Sequence, residues 1–212
     1  MARILITSGP TRQYLDPVRY LTNASSGRMG ASLAAAALQW GHQVLVVSGP
    51  VLVPYPAGVE QIDVITTDEL LQVCRDEFPR CDGLIGAAAP CDYRPVKVAT
   101  QKIAKTGQPL ELHLVETPDV VATLGAAKRS DQWVVGFALE TEDQHFRAIT
   151  KMERKSCDLM VLNGPEAMNS LDNRVEVLAH NGQVLAEIHG PKERVATGIL
   201  EIIQRHLIER AT

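Results

Sequence analysis

The sequence has no excess of positive charge: 21 lysines and arginines face 25 aspartates and glutamates, a formal net charge of -4. Affinity for a nucleic-acid backbone depends on many clustered cations that release counterions, so no nucleic-acid partner is expected, and any anion chemistry must come from a local basic patch. There is no CxxC pair. Cys74, Cys81, Cys91 and Cys157 stand apart with no histidine at zinc-finger spacing, which argues against a structural metal or a redox motif and for a reduced, cytoplasmic protein. No apolar run approaches membrane-spanning length. Met1-Ala2-Arg3 leads straight into Ile4-Leu5-Ile6 without the core and cleavage site of a signal peptide, so neither a membrane partner nor export is expected. No GxGxxG follows the first apolar run and no GxxxxGKS/T occurs anywhere, which disfavours a simple NAD dehydrogenase or a P-loop ATPase. His42, His113, His145, His180, His189 and His206 are scattered without ligand spacing and carry no catalytic or metal assignment.

What is present suits a globular core: 212 residues, 45% hydrophobic and 22% charged, enough to fold without disulfides or metals and read as one domain over 1–212. Apolar runs alternate with helical patterns. Strands are expected at Arg3 to Thr7, Gln43 to Ser48, Gln61 to Ile65, Gly83 to Ala88, Trp133 to Ala138 and Asp158 to Leu162. Helices are expected at Gly27 to Trp40, with Ser25 and Ser26 as N-cap candidates and Gly41 as the stop, and from a Thr66–Glu69 capping box to about Phe78. Thr117-Pro118 reads as an N-cap and first helical residue for a helix to about Lys128, and Glu142 to Lys155 as a charged helix. Asn181-Gly182 lies between Arg174 to Ala179 and Gln183 to Ile188 as a hairpin turn, before a last helix from Pro191 to about Ile208. The expected fold is α/β: a doubly wound, Rossmann-like parallel sheet with a C-terminal antiparallel hairpin.

Ligands in such sheets bind beyond the carboxyl ends of the strands, where helix N-termini favour anions. Three strand ends are candidates. Ser8-Gly9-Pro10-Thr11 leads to Asn23-Ala24-Ser25-Ser26-Gly27-Arg28, which suits either a phosphate or a plain helix cap with a turn glycine. Gly86-Ala87-Ala88 admits a ligand to the backbone, and the following Lys97, Lys102 and Lys105 can neutralise a triphosphate or simply be solvated. Gly136 to Thr141 is the third junction. Lys151 and Lys155 share one face of the next helix, facing either the same cleft or solvent. Cys91 reads as a small buried thiol.

Ile4 to Arg12, Leu15-Asp16-Pro17-Val18-Arg19, Asn23 to Gly30, Asp92-Tyr93-Arg94, Lys102 to Lys105, Thr117-Pro118-Asp119 and Gly136 to Thr141 together closely resemble phosphopantothenoylcysteine synthetase, in order and over nearly the whole chain. The resemblance implies a ligase that joins phosphopantothenate to cysteine in coenzyme A biosynthesis. CTP would activate the carboxylate as an acyl cytidylate, Mg2+ would accompany the triphosphate, and the protein would be a homodimer. It implies catalytic roles for Asn23, at the acyl cytidylate, and Lys102, near the phosphates. Nucleotide binding would involve Gly86, Ala87, Ala88, Asp92, Lys102, Thr117, Pro118, Asp119, Val120, Phe137, Lys151 and Lys155, and substrate phosphate binding Asn23, Ser25, Ser26, Gly27 and Arg28. No protein metal ligand is implied. The flavin-dependent decarboxylase domain fused to many bacterial relatives is expected to be absent, since the chain begins at the first synthetase strand. The sequence departs from the family at Arg28, which keeps the charge with another geometry, at Ala104, and at Pro90-Cys91, and the replacements beside Asp92 leave the choice of CTP over ATP open. Two other readings are an inactive nucleotide-binding regulator of the same fold and an NAD(P)-dependent reductase; Asn23 with Lys102 speaks against the first, and the missing glycine fingerprint against the second.

Overall fold

The computed structural model describes residues 1–140, 142–163 and 172–209. The first half of the chain runs through β1 (Arg3–Ser8), β2 (Arg12–Tyr14), β3 (Tyr20–Thr22), α1 (Arg28–Gln39), β4 (Gln43–Ser48), β5 (Glu60–Asp63), α2 (Thr67–Glu77), β6 (Gly83–Gly86) and β7 (Tyr93–Pro95). The second half contains β8 (Leu114–Glu116), α3 (Val120–Ala127), β9 (Trp133–Leu139), α4 (Gln144–Arg154), β10 (Leu159–Asn163), β11 (Asp172–Ala179), β12 (Val184–Pro191) and α5 (Lys192–Ile203). Eight strands form one sheet in the order β12-β11-β10-β9-β6-β1-β4-β5. The six from β10 to β5 are parallel, whereas β11 and β12 are antiparallel. The expected parallel sheet with a C-terminal hairpin is thus the observed fold.

Period-two alternation sends successive side chains of the same strand to opposite faces and builds two cores. Ile4, Ile6, Val44, Val46, Val135 and Val161 pack with Leu33, Ala34 and Ala37 of α1 and with Ile199 and Ile203 of α5. Leu5, Leu45, Leu84, Val134 and Met160 pack on the other face with Leu70 and Leu71 of α2, Leu124 of α3 and Met152 of α4. Burial pushes the Cys74 and Cys157 thiols up to about 12, so both behave as apolar core groups.

Several boundaries differ from the sequence expectation. The capping box of α2 is present, Glu69 N donating to Thr66 Oγ1 and Thr66 N to the Glu69 carboxylate. Neither Ser25 nor Ser26 caps α1. Gly27 holds the N-cap position at φ +75°, where its missing Cβ is needed: a Cβ would lie 2.7 Å from Val51 Cγ1. Thr117 and Pro118 do not open α3 either. Asp119 is its N-cap, accepting from Ala122 N at 3.0 Å, because the Thr117 hydroxyl is committed to the Cys91 carbonyl at 2.7 Å. The strand expected to Ala88 ends at Gly86, after which Ala88 N turns to Thr7 Oγ1. The strand expected from Gln61 to Ile65 is β5, shifted to Glu60–Asp63, and α4 is two residues shorter at its start and one at its end than the charged pattern suggested. The last helix ends at Ile203 and closes on a π-type turn over Gln204–Ile208. Two short antiparallel ribbons, β2–β3 and β7–β8, were not anticipated. Thr141 and the segment 164–171 lie outside the described residues.

Candidate functional site

The carboxyl ends of β1, β6 and β9 open into a cleft of about 470 Å³, walled by Thr7, Gly86, Ala88, Pro90, Asp92, Tyr93, Glu116, Thr117, Pro118, Asp119, Val120, Phe137 and Lys155. The first residues of α3, Val120 to Ala122, line this cleft, and a helix N-terminus favours a bound anion. Two glycines let α3 sit that close. A Cβ on Gly86 would lie 2.6 Å from Val121 Cγ2, and one on Gly125 would lie 2.0 Å from the Lys155 carbonyl oxygen. Lys155 Nζ in turn lies 3.1 Å from Asp119 Oδ2, so a cation stands against the helix cap.

The loop carrying Asp92 is held by a closed ring of hydrogen bonds. Cys91 N–H donates to Thr11 Oγ1 at 2.7 Å, which leaves the Thr11 proton for Thr67 Oγ1, also at 2.7 Å, and the Thr67 proton for the Cys91 carbonyl at 3.2 Å. Thr117 Oγ1 adds a second donor to the same carbonyl. Both polar groups of the residue preceding Asp92 are thereby fixed by buried hydroxyls. Neither Thr11 nor Thr67 stands out in the sequence, the first lying at a strand end and the second merely following Thr66 of the capping box; only the fold brings positions 56 residues apart into contact. Thr67→Val, which leaves the Thr11 hydroxyl without an acceptor, is expected to cost about 1–3 kcal/mol in urea unfolding, and Thr67→Ser to restore most of it. Equal stability of the valine and serine variants would remove the ring from the account.

A second depression, about 730 Å³, is lined by Arg12, Ser25, Ser26, Arg28 and the loop Pro50 to Pro54. The first turn of α1 lies directly on the end of β1, since a Cβ on Gly30 would fall 2.1 Å from Ser8 Oγ. The Arg12 guanidinium stacks over the Tyr20 ring, its central carbon 4.5 Å from the centroid. Asn23 lines neither depression, but its Nδ2 donates to the carbonyl of Pro90, a residue of the first cleft's wall, at 2.8 Å. A carbonyl only accepts, which fixes the amide orientation and leaves Oδ1 and one N–H outside that bond.

Of the nucleotide-binding candidates, Gly86, Ala88, Asp92, Thr117, Pro118, Asp119, Val120, Phe137 and Lys155 converge on the first cleft. Ala87, Lys151 and Lys102 do not line it. Lys151 pairs with the buried Glu140 carboxylate, and Lys102 is exposed on the irregular loop between β7 and β8. Of the phosphate candidates, Ser25, Ser26 and Arg28 line the second depression, while Gly27 supports them from the helix cap. Among the described residues no group of three or more His, Cys, Asp or Glu side chains is placed to hold a metal ion, and no helix is long and apolar enough to cross a membrane.

The family model of the DNA/pantothenate metabolism flavoprotein C-terminal domain matches residues 1–207. The coenzyme A biosynthesis bifunctional proteins CoaBC of Vibrio cholerae and Escherichia coli are 40% and 39% identical to this chain, each over 211 residues, covering 97% and 96% of it. The chain spans about half the length of these relatives, 53% and 52% respectively. The crystal structure of the C-terminal domain of CoaBC matches with a TM-score of 0.81 at 33% identity, covering 98% of this chain and 96% of that one. A DNA/pantothenate metabolism flavoprotein from Streptococcus pneumoniae shares the fold, with a TM-score of 0.85 at 23% identity over 97% of this chain and 100% of its own. By sequence over its whole length and by fold, the chain belongs to the family of the DNA/pantothenate metabolism flavoprotein C-terminal domain.

Proposed function

We propose that this domain is the phosphopantothenate–cysteine ligase of coenzyme A biosynthesis, acting in the cytoplasm with CTP as co-substrate. The observation that carries the reading is the family match over residues 1–207 together with a cleft at the carboxyl edge of the sheet where Asp92, the α3 N-terminus and Lys155 converge. In the first step the phosphopantothenate carboxylate attacks the α-phosphorus of CTP, and the bond to the pyrophosphate oxygen breaks. In the second the cysteine amine attacks the acyl carbon, and CMP leaves with the electron pair. The α3 N–H groups and Lys155 offset phosphate charge, Asp92 and Phe137 hold the nucleoside, and the Ser25 to Arg28 turn takes the substrate phosphate. Lys102 serves the first step. The second N–H of Asn23 stabilises the acyl oxygen in the second step.

A magnesium ion would arrive with the triphosphate and keep its own waters rather than sit in an all-protein cage, since no three acidic groups among the described residues are placed to hold it. Such an ion supplies charge neutralisation at the phosphates. The homodimer belongs to the same reading, supported by the exposed apolar side chains Val96, Val98, Leu110, Leu112 and Leu114 along the β7–β8 ribbon and its loop.

The test is pyrophosphate release with phosphopantothenate and each of CTP, ATP, GTP and UTP, with and without cysteine. Release with CTP before cysteine is added is the expected result and identifies acyl-nucleotide chemistry. Silence with all four nucleotides overturns the ligase reading.

A further inference from the structure

The turn between β2 and β3 buries a carboxylate that the turn itself does not require. Asp16 is 0% exposed. Its Oδ1 accepts from Val18 N and Arg19 N, both at 2.8 Å, a local Asx turn that a neutral asparagine would make equally well. Its Oδ2 serves a different purpose. It accepts from Arg19 Nε at 2.9 Å, from Arg19 Nη2 at 2.6 Å and from Ile103 N at 3.1 Å. Burial alone would raise the carboxyl, but the backbone N–H groups of Val18, Ile103 and Arg19 and the Arg19 guanidinium outweigh it and hold the group well below the usual carboxylate range.

Ile103 lies 87 residues away in sequence, between Lys102 and Lys105. Arg19 Nη2 also donates to the Ile103 carbonyl at 2.6 Å, so both polar groups of that residue are gripped by one ion pair. A third tie runs from Ala99 N to the Leu15 carbonyl at 2.9 Å. The segment these bonds hold has no regular structure of its own from Val96 to His113, and a loop without a ladder takes its course from such anchors. The charge on Asp16 is thus used across the chain, on the backbone next to Lys102, and a buried charge is retained at a cost unless all its partners are in place.

We propose that Asp16 is a positioning residue: through Arg19 and the Ile103 peptide it sets where the Lys102 ammonium stands, and with it the rate of the first, nucleotide-consuming step. The proposal rests on the ligase reading for the role of Lys102. The Leu15 to Arg19 motif, part of the family resemblance but without an assigned part in the chemistry, thereby acquires one.

Asp16→Asn separates the two functions of the carboxylate. It keeps the Asx turn on Oδ1 and places an amide donor where Arg19 and Ile103 already donate, so the turn survives and the tether opens. Trypsin cleavage after Lys102 and Lys105 is expected to run about tenfold faster than in the wild type, the open population admitted by losing one charge-assisted hydrogen bond. Pyrophosphate release is expected to fall about 10- to 100-fold in kcat, the cost of a displaced catalytic group. In a Lys102→Ala background the same substitution should change release no further, because its effect passes through Lys102. An equal loss in both backgrounds means general damage and overturns the positioning role. Unchanged cleavage overturns the tether. Wild-type protein silent with every nucleotide overturns the ligase reading and the catalytic role together, while the cleavage comparison still reports on the tether. If Asp16→Asn does not fold, Arg19→Lys takes its place, since a single ammonium cannot hold Asp16 and the Ile103 carbonyl in the same fork, and the same outcomes decide.

Discussion

Asn23→Ala is expected to release one equivalent of pyrophosphate per site in a burst at the wild-type rate while steady-state phosphopantothenoylcysteine formation falls about 10²–10³-fold, the usual loss when one donor to a developing oxyanion is removed. The acyl nucleotide should accumulate in a rapid-quench experiment. The geometry explains why the two steps separate. Asn23 is pinned to the Pro90 carbonyl through one N–H, so its remaining N–H and Oδ1 are held in a fixed orientation beside the loop that leads to Asp92. On the proposed ligase reading, negative charge would build on the acyl oxygen when the cysteine amine attacks, whereas in the first step it would move mainly among phosphate oxygens, the part proposed for Lys102, Lys155 and the α3 N-terminus. Removing the Asn23 amide also frees the Pro90 carbonyl, and a slack loop would weaken the nucleotide. CTP affinity measured on the variant by calorimetry distinguishes these effects: unchanged affinity with blocked product formation assigns the loss to the acyl step. Normal product formation by Asn23→Ala would falsify the assignment.

Gly125→Ala is expected to destabilise the domain by about 1–3 kcal/mol, the usual cost of overpacking, and to lower its Tm by roughly 2–12 °C at about 2–4 °C for each kcal/mol. Two effects oppose each other at this position. Alanine is the better helix former by about 1 kcal/mol, which alone would stabilise α3. Against it, the new Cβ would stand 2.0 Å from the Lys155 carbonyl oxygen and 3.4 Å from Ser156 Cβ. The close neighbour is backbone, which cannot rotate away as a side-chain end can, and Ser156 already has a left-handed φ of +51°, so the segment has little slack. Sterics therefore win. The displacement also separates Lys155 from Asp119 at the mouth of the cleft, so CTP affinity should fall along with stability. Differential scanning calorimetry and nucleotide titration on the same variant check both parts. A raised Tm would mean that α3 shifts away from Lys155 at no cost.

The elements with a strong local signal are legible in the residue pattern alone. The parallel strands announce themselves as short apolar runs, α2 by a complete capping box and the C-terminal hairpin by Asn181-Gly182. The caps of α1 and α3 differ from the sequence expectation for separate reasons, Gly27 taking the first at a left-handed φ against Val51. Serine and threonine suit an N-cap, but the choice between neighbouring candidates depends on what else their hydroxyls can reach, and Thr117 reaches the Cys91 carbonyl. The β2–β3 and β7–β8 ribbons, three residues per strand, are too short to show a period, and their pairing is completed by tertiary contact.

By itself the sequence determined the layers, the strand direction and the family, because hydrophobic period and ordered motifs are local properties that survive without knowledge of distance. It also placed Asp92 and Phe137 at strand ends and Thr117 to Val120 at a helix start, where an α/β sheet carries its ligands, and Lys155 on a face of the following helix. Only the tertiary structure decided how those groups are held. The ring of Thr11, Thr67 and Cys91, the Asn23–Pro90 bond and the Asp16–Arg19 grip on Ile103 join residues 24 to 87 positions apart. Hydrogen bonds of that kind depend on ångström-scale placement of single polar atoms. No residue pattern encodes such placement until the packed sheet and its two cores have set it.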